Sequence, residues 1–300
     1  MRQMFIVIGL LGLVACSQKS NNSEVKIKNS SVINGTEVKS NDLIAKSIVA
    51  VYNAKDRYLC TGTLIAPNIV LTAAHCAPEK VTQMKIVFTN DLDDTINSRE
   101  PDVLQQYVLP ATDFKVHPKW DANNETIENN TSDIALVKFK GEAPTGYAPA
   151  TFIADDSALK IGDVMTVAGY GVDDVDFTKE INPKTFHNLD QAIESGEVIC
   201  NEEVKGKPAD CYKVEMTGDG ILRTTEAPIS FVLETEIRLN EKKAGTCSGD
   251  SGGPLFLKKD NIFYLVGVTS RGSSLCNEVG VYTKALSYKA WIADTSKILK

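Results

Sequence analysis

A serine flanked by glycines offers the clearest chemistry in this sequence. Ser251 lies in the run Gly249-Asp250-Ser251-Gly252-Gly253, with Cys247 before it and Pro254 after it. A serine hydroxyl becomes a good nucleophile only when a base takes its proton and donors stabilise the oxyanion. Glycines allow backbone angles that a side chain forbids, so successive N–H groups can point at one oxygen atom. The alternative for a lone serine of this kind is an ordinary Gly-rich turn in a β-protein.

Histidine is the residue type that most often takes such a proton, and the chain contains 3 histidines. His75 lies in Thr72-Ala73-Ala74-His75-Cys76, where the small alanines let the ring stand in a cleft. A structural or surface role suits His117 and His187 better. A lone histidine is usually a satisfied polar residue, but this context predicts that His75 is the general base.

An acidic residue precedes an apolar segment later in the chain. Asp133 comes directly before Ile134-Ala135-Leu136-Val137, which has the composition of a buried strand. A buried carboxylate that accepts the imidazole N–H would fix the tautomer of the histidine and stabilise the imidazolium. In isolation an aspartate before a strand is an ordinary turn residue. The chain order His75, Asp133, Ser251 differs from the orders found in subtilisins and α/β-hydrolases.

Together these motifs resemble the trypsin/chymotrypsin-like serine proteases, from Val32 to the C-terminus with an interruption at about 172–220. The resemblance implies an all-β fold of two six-stranded antiparallel barrels with a C-terminal α-helix. It implies a secreted serine endopeptidase that works through an acyl-enzyme, with the N–H groups of Gly249 and Ser251 as the oxyanion hole. It requires no metal or cofactor. A catalytically silent protein-binding module on the same fold and an esterase are the alternatives.

The segment Val32-Ile33-Asn34-Gly35 resembles the start of the mature proteases of this family. In that family, a cut before such a start frees an α-amine, which pairs with the aspartate beside the nucleophile, here Asp250. Ser31 stands where many zymogens of the family carry Arg or Lys, which argues against a trypsin-like activating protease. The alternative is that Val32 and Ile33 only begin a first strand.

The resemblance also locates the pocket for the side chain before the scissile bond. Trypsin-like enzymes have an Asp six residues before the serine to bind Lys or Arg, and this chain has Gly245 there. Glycines in the walls predict a deep slot without charge at its base, which favours a large neutral side chain and argues against basic ones. An elastase-like preference for small residues is the alternative. The predicted pocket residues are Gly245, Thr246, Ser270, Gly272 and Gly280.

Two charged residues near this pocket depart from the family pattern. Arg271 stands where an aromatic residue is common, and it could favour acidic groups further along the substrate. Glu278 lies near the same wall and is an alternative source of charge for the pocket.

The N-terminal segment has the layout of a secretory signal. Residues 4–15 are almost wholly apolar and follow Arg2, and the run is too short for a comfortable transmembrane helix. It ends in Leu13-Val14-Ala15-Cys16, which resembles the bacterial lipobox, whose cysteine is lipidated. A plain cleaved signal that happens to carry a cysteine is the alternative. The predicted organisation is a signal peptide (1–15), a polar tether or propeptide (16–31) and a protease domain (32–300).

The 7 cysteines leave three pairs once Cys16 is set aside. The resemblance implies one disulfide beside the predicted base and one that ties the pocket walls. The last two cysteines both lie in the polar insertion at 172–220 and are paired by elimination. The predicted pairs are Cys60 with Cys76, Cys247 with Cys276, and Cys200 with Cys211. These pairs predict an exported protein, either lipid-anchored to a bacterial membrane or released after activation.

Local patterns indicate the elements that position these residues. Two short β-branched runs, Ile48–Tyr52 and Thr63–Leu71, indicate strands, and the turn signal Pro67-Asn68 breaks the second of them. Val164–Gly171 is the expected first strand of the second half. The insertion is long for a structureless loop, which predicts local order. The predicted terminal helix carries Tyr288, Trp291, Ile292 and Ile298 at helical spacing.

Chain length and net charge limit the remaining classes of fold and function. A chain of 300 residues can form one or two domains with a substantial core. A net charge of −7 argues against nucleic acid as the main partner. Protein or peptide substrates are the expected partners, and a monomer is the expected state.

Overall fold

A computed structural model describes residues 32–124, 126–194, 197–204, 207–273 and 275–300. The predicted signal peptide (1–15), the tether (16–31) and Cys16 lie outside these residues. The chain forms two closed six-stranded antiparallel β-barrels followed by a short helix, which confirms the predicted fold. Among the described residues, no helix combines the length and apolar character that a membrane crossing requires.

The first barrel is built from strands whose inward side chains are mostly aliphatic. After a short strand β1 (Thr36–Glu37), six strands close in the order β2-β3-β4-β7-β6-β5. The β3–β4 hairpin turns at Pro67-Asn68, as predicted. The strands are β2 (Ile48–Asn53), β3 (Tyr58–Ala66), β4 (Ile69–Thr72), β5 (Met84–Val87), β6 (Val108–Val116) and β7 (Ala135–Phe139), with helices α1 (Leu92–Ile96) and α2 (Pro101–Tyr107) between β5 and β6.

The polar insertion carries the local order that its length predicts. The second half begins with β8 (Thr151–Phe152) and β9 (Val164–Gly169). The insertion then forms a separate sheet in the order β10-β12-β11, with a short helix α3 (Leu189–Glu194). Cys200 lies opposite Cys211 in this sheet, and the two form a disulfide. The strands are β10 (Asp174–Ile181), β11 (Val198–Val204) and β12 (Lys207–Thr217).

The second barrel closes because β9 pairs with both β13 and β15. Its strands follow one another in the order β9-β13-β14-β17-β16-β15. The buried residues at its centre are mostly branched aliphatic ones, with Tyr282 as the aromatic member, which suits inward positions of a barrel. The remaining strands are β13 (Arg223–Val232), β14 (Glu236–Asn240), β15 (Pro254–Lys259), β16 (Ile262–Gly272) and β17 (Val279–Lys284).

Each end of the described chain packs against the opposite barrel: the N-terminal end contacts the second barrel, and the C-terminal end contacts the first. Near the N-terminus, β1 pairs with β13 of the second barrel, and Ile33 forms a bridge with Gly245. At the other end, helix α4 (Lys289–Ile298) returns to the first barrel, where the Lys138 ammonium donates to the carbonyl of Leu299. The two barrels are therefore joined at both ends of the chain.

The terminal helix differs in one respect from its prediction. Tyr288, Ile292 and Leu299 are buried in the same apolar cluster as the first barrel. Ile298 is 64% exposed, so its assignment to the packed face was wrong. Spacing of 3–4 residues places Thr295 and Leu299, and not Ile298, on the face that starts at Tyr288. Five 3-10 helices are also described, at Leu43–Ser47, Ala74–Cys76, Val81–Gln83, Ala122–Asn124 and Ala285–Tyr288.

Candidate active site

The predicted base and its acid lie side by side. The Nδ1 atom of His75 is 2.8 Å from Oδ2 of Asp133, whose side chain is fully buried. The other carboxylate oxygen accepts the backbone N–H groups of Ala74 at 2.6 Å and His75 at 3.1 Å. These contacts fix the carboxylate relative to both the ring and the backbone of the histidine. They hold the imidazole with Nδ1 towards the acid and Nε2 turned away from it.

Residues of the second barrel complete the environment of Asp133. The Ser270 hydroxyl donates to Oδ2 of Asp133 at 2.7 Å, and the Thr283 hydroxyl donates to its backbone carbonyl at 2.9 Å. Behind it, the Tyr288 hydroxyl lies 3.0 Å from the Ser132 hydroxyl. Ser270 was predicted only as a pocket residue, and the structure gives it this second contact.

The nucleophile loop is held against the first barrel next to the histidine. The backbone N–H of Thr61 donates to the Ser251 carbonyl at 2.8 Å, and the Cys76 sulfur lies 3.7 Å from that carbonyl. Cys76 is bonded to Cys60, so the disulfide fixes the segment that carries His75. The loop thus places Ser251 beside the residue that follows the predicted base.

Two glycines of this loop have conformations that other residues avoid. Gly249 has φ +98° and Gly252 has φ +81°. A Cβ atom at Gly249 would lie 2.8 Å from Cα of Gly171, which is closer than real Cβ atoms come. The glycines therefore let the loop turn tightly against its neighbours, as the sequence predicts.

The orientation of the Ser248–Gly249 peptide bond decides where the Gly249 N–H group, a predicted oxyanion donor, can point. The carbonyl of Ser248 accepts the N–H of Val172 at 2.9 Å. In a trans peptide the N–H and C=O groups point in opposite directions, so the Gly249 N–H points away from Val172. Within the described chain, neither the Gly249 N–H nor the Ser251 N–H donates a hydrogen bond to another residue.

A comparison with protein families identifies this arrangement. The family model described as Trypsin matches residues 32–292. The chain belongs to the trypsin family. The match covers both barrels and the insertion, and it starts at the residue predicted as the mature N-terminus.

Relatives of this trypsin-family chain include several proteases from animals. It is 28% identical to Kallikrein 1-related peptidase b5 of Mus musculus over 254 residues, which cover 82% of this chain and 83% of that protein. It is 28% identical to mouse Kallikrein-8 over 243 residues, with 80% and 78% covered. It is 30% identical over 247 residues to a protein of Aedes aegypti named Inactive CLIP domain-containing serine protease A3. That match covers 80% of this chain and only 46% of the insect protein.

A cavity of about 190 Å³ opens beside Ser251. The predicted pocket residues Thr246, Ser270 and Gly272 line it, and the Cys247–Cys276 disulfide forms part of its wall. Gly245 and Gly280 do not line it. Both instead contact the side chain of Glu241, which the sequence analysis did not single out.

A buried acid lies behind this pocket, outside its lining, and the uncharged base stays a prediction. The Glu241 side chain is buried, and its carboxyl group accepts from the hydroxyls of Thr246 and Tyr282. Burial raises the pKa of Glu241 to about 7, with a smaller contribution from the negative charge of Asp250. Gly245 leaves room for the Glu241 side chain, which a Cβ atom at that position would displace.

Asp250 is a second buried carboxyl group behind the nucleophile. Its two oxygens accept the backbone N–H groups of Gly171 at 2.8 Å and Cys247 at 2.9 Å. Burial raises the pKa of Asp250 to about 7, against the opposing effects of these hydrogen bonds and of Arg223. Val32 is fully buried in the core of the second barrel.

Arg271 forms an ion pair with Glu236 within the protein. The prediction was that Arg271 could favour acidic groups further along a substrate. Its guanidinium lies 3.0 Å from the carboxylate of Glu236, and the two side chains are only 9% and 1% exposed. It also donates to the carbonyls of Thr126 and Asn129, in the segment that leads to Asp133. Arg271 thus connects the second barrel to that segment.

We expect Arg271→Ala to destabilise the fold by about 3–5 kcal/mol, because it leaves the Glu236 carboxylate buried without its cation. Chemical denaturation followed by fluorescence would measure this loss. Arg271→Met combined with Glu236→Leu should recover most of it, since no unpaired charge then remains. Arg99→Ala, at an exposed arginine, is the matched control. A single variant as stable as that control would show that the pair is dispensable.

The other histidines have the structural and surface settings predicted for them. His117 packs edge-to-face on Tyr288 and Trp291, with ring centroids 4.8 and 5.1 Å apart, and His187 is exposed. His75, Cys60 and Cys76 also lie close enough to resemble a metal site. The two sulfurs are consumed by their disulfide and Nδ1 of His75 faces Asp133, so this group is not a set of free ligands.

Proposed function

We propose that the chain is a serine endopeptidase in which His75, Asp133 and Ser251 form the catalytic triad. The observation that carries the proposal is the buried Asp133 carboxylate bound to His75 Nδ1, on a segment fixed beside the Ser251 loop. In this arrangement His75 Nε2 acts as the base, and Asp133 stabilises the imidazolium. Family membership supports the same chemistry, although one relative is named inactive.

The reaction proceeds in two halves. Ser251 Oγ bonds to the scissile carbonyl carbon while His75 Nε2 takes its proton, and the N–H groups of Gly249 and Ser251 stabilise the oxyanion. The C–N bond then breaks, and His75 gives the proton to the leaving amine. Water attacks the acyl-enzyme ester with His75 as base, the ester C–O bond breaks, and the proton returns to Ser251.

Two measurements test the function. A fluorophosphonate that phosphonylates activated serines should label the exported protein, and a mixed peptide library should be cut. Labelling with ester hydrolysis but no peptide cleavage would favour an esterase. A folded protein that is neither labelled nor active would favour a protein-binding module, the role that the inactive relative makes worth testing.

We further propose that a cut before Val32 activates the protein. Val32 is fully buried, and its neighbour Ile33 packs in one cluster with Cys247, three residues before Asp250. The raised pKa of Asp250 indicates a carboxyl group that lacks full charge compensation. An α-ammonium group would supply that compensation and favour ionised Asp250.

A chain that begins at Val32 should have a kcat/KM for peptides roughly a hundredfold higher than one that keeps Ser31, because only the first can bury an ammonium group against Asp250. Acetylation of the Val32 amine should remove the gain, and it adds few atoms. Activity that is equal in all three forms would contradict the pairing.

The disulfides and the N-terminal segment support export of the protein. Three disulfides favour an oxidising compartment. We propose that residues 1–15 are a signal peptide, that Cys16 carries a lipid, and that the tether 16–31 joins it to the domain. A cut before Val32 then releases the protease from the membrane. Mature protein that starts at Val32 yet remains bound through Cys16 would contradict this.

A further inference from the structure

We propose that Arg223 is a positioning residue for the oxyanion hole. It fastens both ends of the 172–220 insertion to the second barrel, and the fastened ends hold the Ser248 carbonyl so that the Gly249 N–H group points into the cleft. The inference rests on the proposed peptidase function and deepens it, because it gives the insertion a part in the chemistry.

The insertion begins at the residue that orients the oxyanion donor. Val172 is its first residue, and the Val172 N–H group donates to the Ser248 carbonyl at 2.9 Å. This carbonyl and the Gly249 N–H group belong to one planar peptide unit, so they can only turn together. The direction of the Gly249 N–H group therefore depends on where the insertion holds Val172.

Val172 is held by the root of the insertion, which we define as residues 172–175 and 216–220. Its side chain is buried in one apolar cluster with Cys247, the residue before Ser248. Val175 of β10 and Met216 of β12 pack against the same cluster, and the two are paired in register. A root that opened would therefore pull Val172 away from the nucleophile loop.

Arg223 closes this root from strand β13. Its Nη2 atom lies 3.3 Å from the carboxylate of Asp173, at the first end of the insertion. Its Nη1 atom donates to the Gly218 carbonyl at 3.0 Å, at the other end. Between these contacts, the Asp173 N–H donates to the Thr217 carbonyl at 2.9 Å. Because a guanidinium group presents several donors in one rigid plane, a single side chain can tie the two ends together.

Gly218 makes room for the acid of this pair. It has φ +85°, a conformation that side chains disfavour, and a Cβ atom there would lie closer than 3.0 Å to the Asp173 carboxylate. Any other residue would displace Asp173 from Arg223. The glycine at the far end of the insertion thus serves the contact at its near end.

The two acids beside the guanidinium differ in their setting. The Arg223 side chain is 8% exposed, and those of Asp173 and Glu37 are 20% and 71% exposed. Solvent screens an exposed ion pair more strongly, so Asp173 compensates the buried cation better than Glu37 does. Glu37 lies 3.5 Å from the same Nη2 atom but belongs to β1, outside the insertion. It therefore provides a matched control.

The choice of variant follows from a second effect of Arg223. Its positive charge also opposes the rise in the pKa of Asp250, so its removal acts on the nucleophile loop in two ways. Asp173→Ala keeps the cation and opens the root alone. Glu37→Ala removes the other acid and leaves the root closed. Arg223→Met removes the guanidinium and keeps most of the apolar stem.

The first test compares the affinity of the exported protein for a peptide aldehyde and for the matching peptide alcohol. Ser251 Oγ bonds to the aldehyde carbon, its proton passes to His75, and the former carbonyl oxygen becomes an oxyanion that needs the N–H donors. The alcohol binds without a new bond. Steady-state kcat and KM for one good peptide and the midpoint of thermal unfolding are measured alongside.

Asp173→Ala should lower the ratio of aldehyde affinity to alcohol affinity about tenfold or more, and should lower kcat by a similar factor with KM changed by less than about twofold. The outright loss of one oxyanion donor, which costs about 10²–10³ in kcat, is the upper limit. Arg223→Met should lose at least as much as Asp173→Ala, and Glu37→Ala should match the wild type.

An affinity ratio that stays at the wild-type value in both Asp173→Ala and Arg223→Met would overturn the inference, even if both variants unfold at a lower temperature. An equal loss in Glu37→Ala would also overturn it. A wild-type protein that binds aldehyde and alcohol equally would overturn the peptidase function, and this inference with it.

The second test follows the root without catalysis, by amide hydrogen exchange in full-length Ser251→Ala protein. Addition of Asp173→Ala should speed the exchange of the Val172 amide about tenfold or more, because its hydrogen bond opens locally. The Thr61 amide, which donates to the carbonyl of residue 251 from the first barrel, reports general loosening of the fold. Faster exchange at Val172 alone would support the inference. Equal acceleration at both amides, or none at Val172, would overturn it.

Discussion

Ser251→Ala is expected to lower kcat for peptide hydrolysis by about 10⁴- to 10⁶-fold, because no other group can form the acyl-enzyme. Binding should survive, since the cavity wall formed by Thr246, Ser270 and Gly272 is untouched. The measurement is steady-state hydrolysis of one good peptide, together with the affinity for a product peptide.

The control for this variant is Ser40→Ala, at an exposed serine that does not line the cavity beside Ser251. It should keep wild-type kcat and KM. Retained peptidase activity in Ser251→Ala, after removal of contaminating proteases, would show that Ser251 is not the nucleophile.

Asp133→Asn should lower kcat by about 10⁴-fold with little change in KM. Both carboxylate oxygens of Asp133 act as acceptors, one for two backbone N–H groups and the other for His75 and Ser270. An amide replaces one acceptor by a donor. It therefore either repels the backbone N–H groups or forces His75 into the tautomer that cannot accept a proton at Nε2.

The test measures kcat and KM from pH 6 to 10 and the midpoint of thermal unfolding. Asp121→Asn, at an exposed aspartate, provides the comparison for an Asp-to-Asn change without these contacts. If Asp133→Asn unfolds, Ser270→Ala offers a milder probe, since it removes one donor to the same oxygen. A folded Asp133→Asn protein with wild-type kcat would contradict the proposed triad.

Local sequence patterns were sufficient where the chemistry is carried by consecutive residues. The Gly-rich run around Ser251 predicts a tight turn because positive φ angles at Gly249 and Gly252 need glycine. The Pro67-Asn68 signal predicts the β3–β4 turn for a similar reason, since proline fixes its own φ angle. The two barrels were predicted from the family resemblance, and that resemblance depends on the order of these motifs along the chain.

Sequence patterns failed where a side chain acts from a distant part of the fold. Glu241 lies in the polar run Asn240-Glu241-Lys242-Lys243, which looks like a solvated loop. Only the pairing of β14 with β17 brings it beside Gly280 and buries it. The same applies to Arg271, whose partner Glu236 lies on a strand that is not adjacent to it in the sequence. No local signal distinguishes these residues from surface charges.

The crossing of both chain ends between the barrels has a consequence for how substrates reach the site. A hinge opening between the barrels would have to detach β1 from β13, and would also have to pull α4 and Leu299 off the first barrel. Those contacts therefore resist a hinge opening between the barrels. Which folded proteins are cut should therefore depend on the substrate. A segment should enter the cleft only if it is already extended or unfolds locally. We expect cleavage of native proteins to concentrate in their exposed loops and termini.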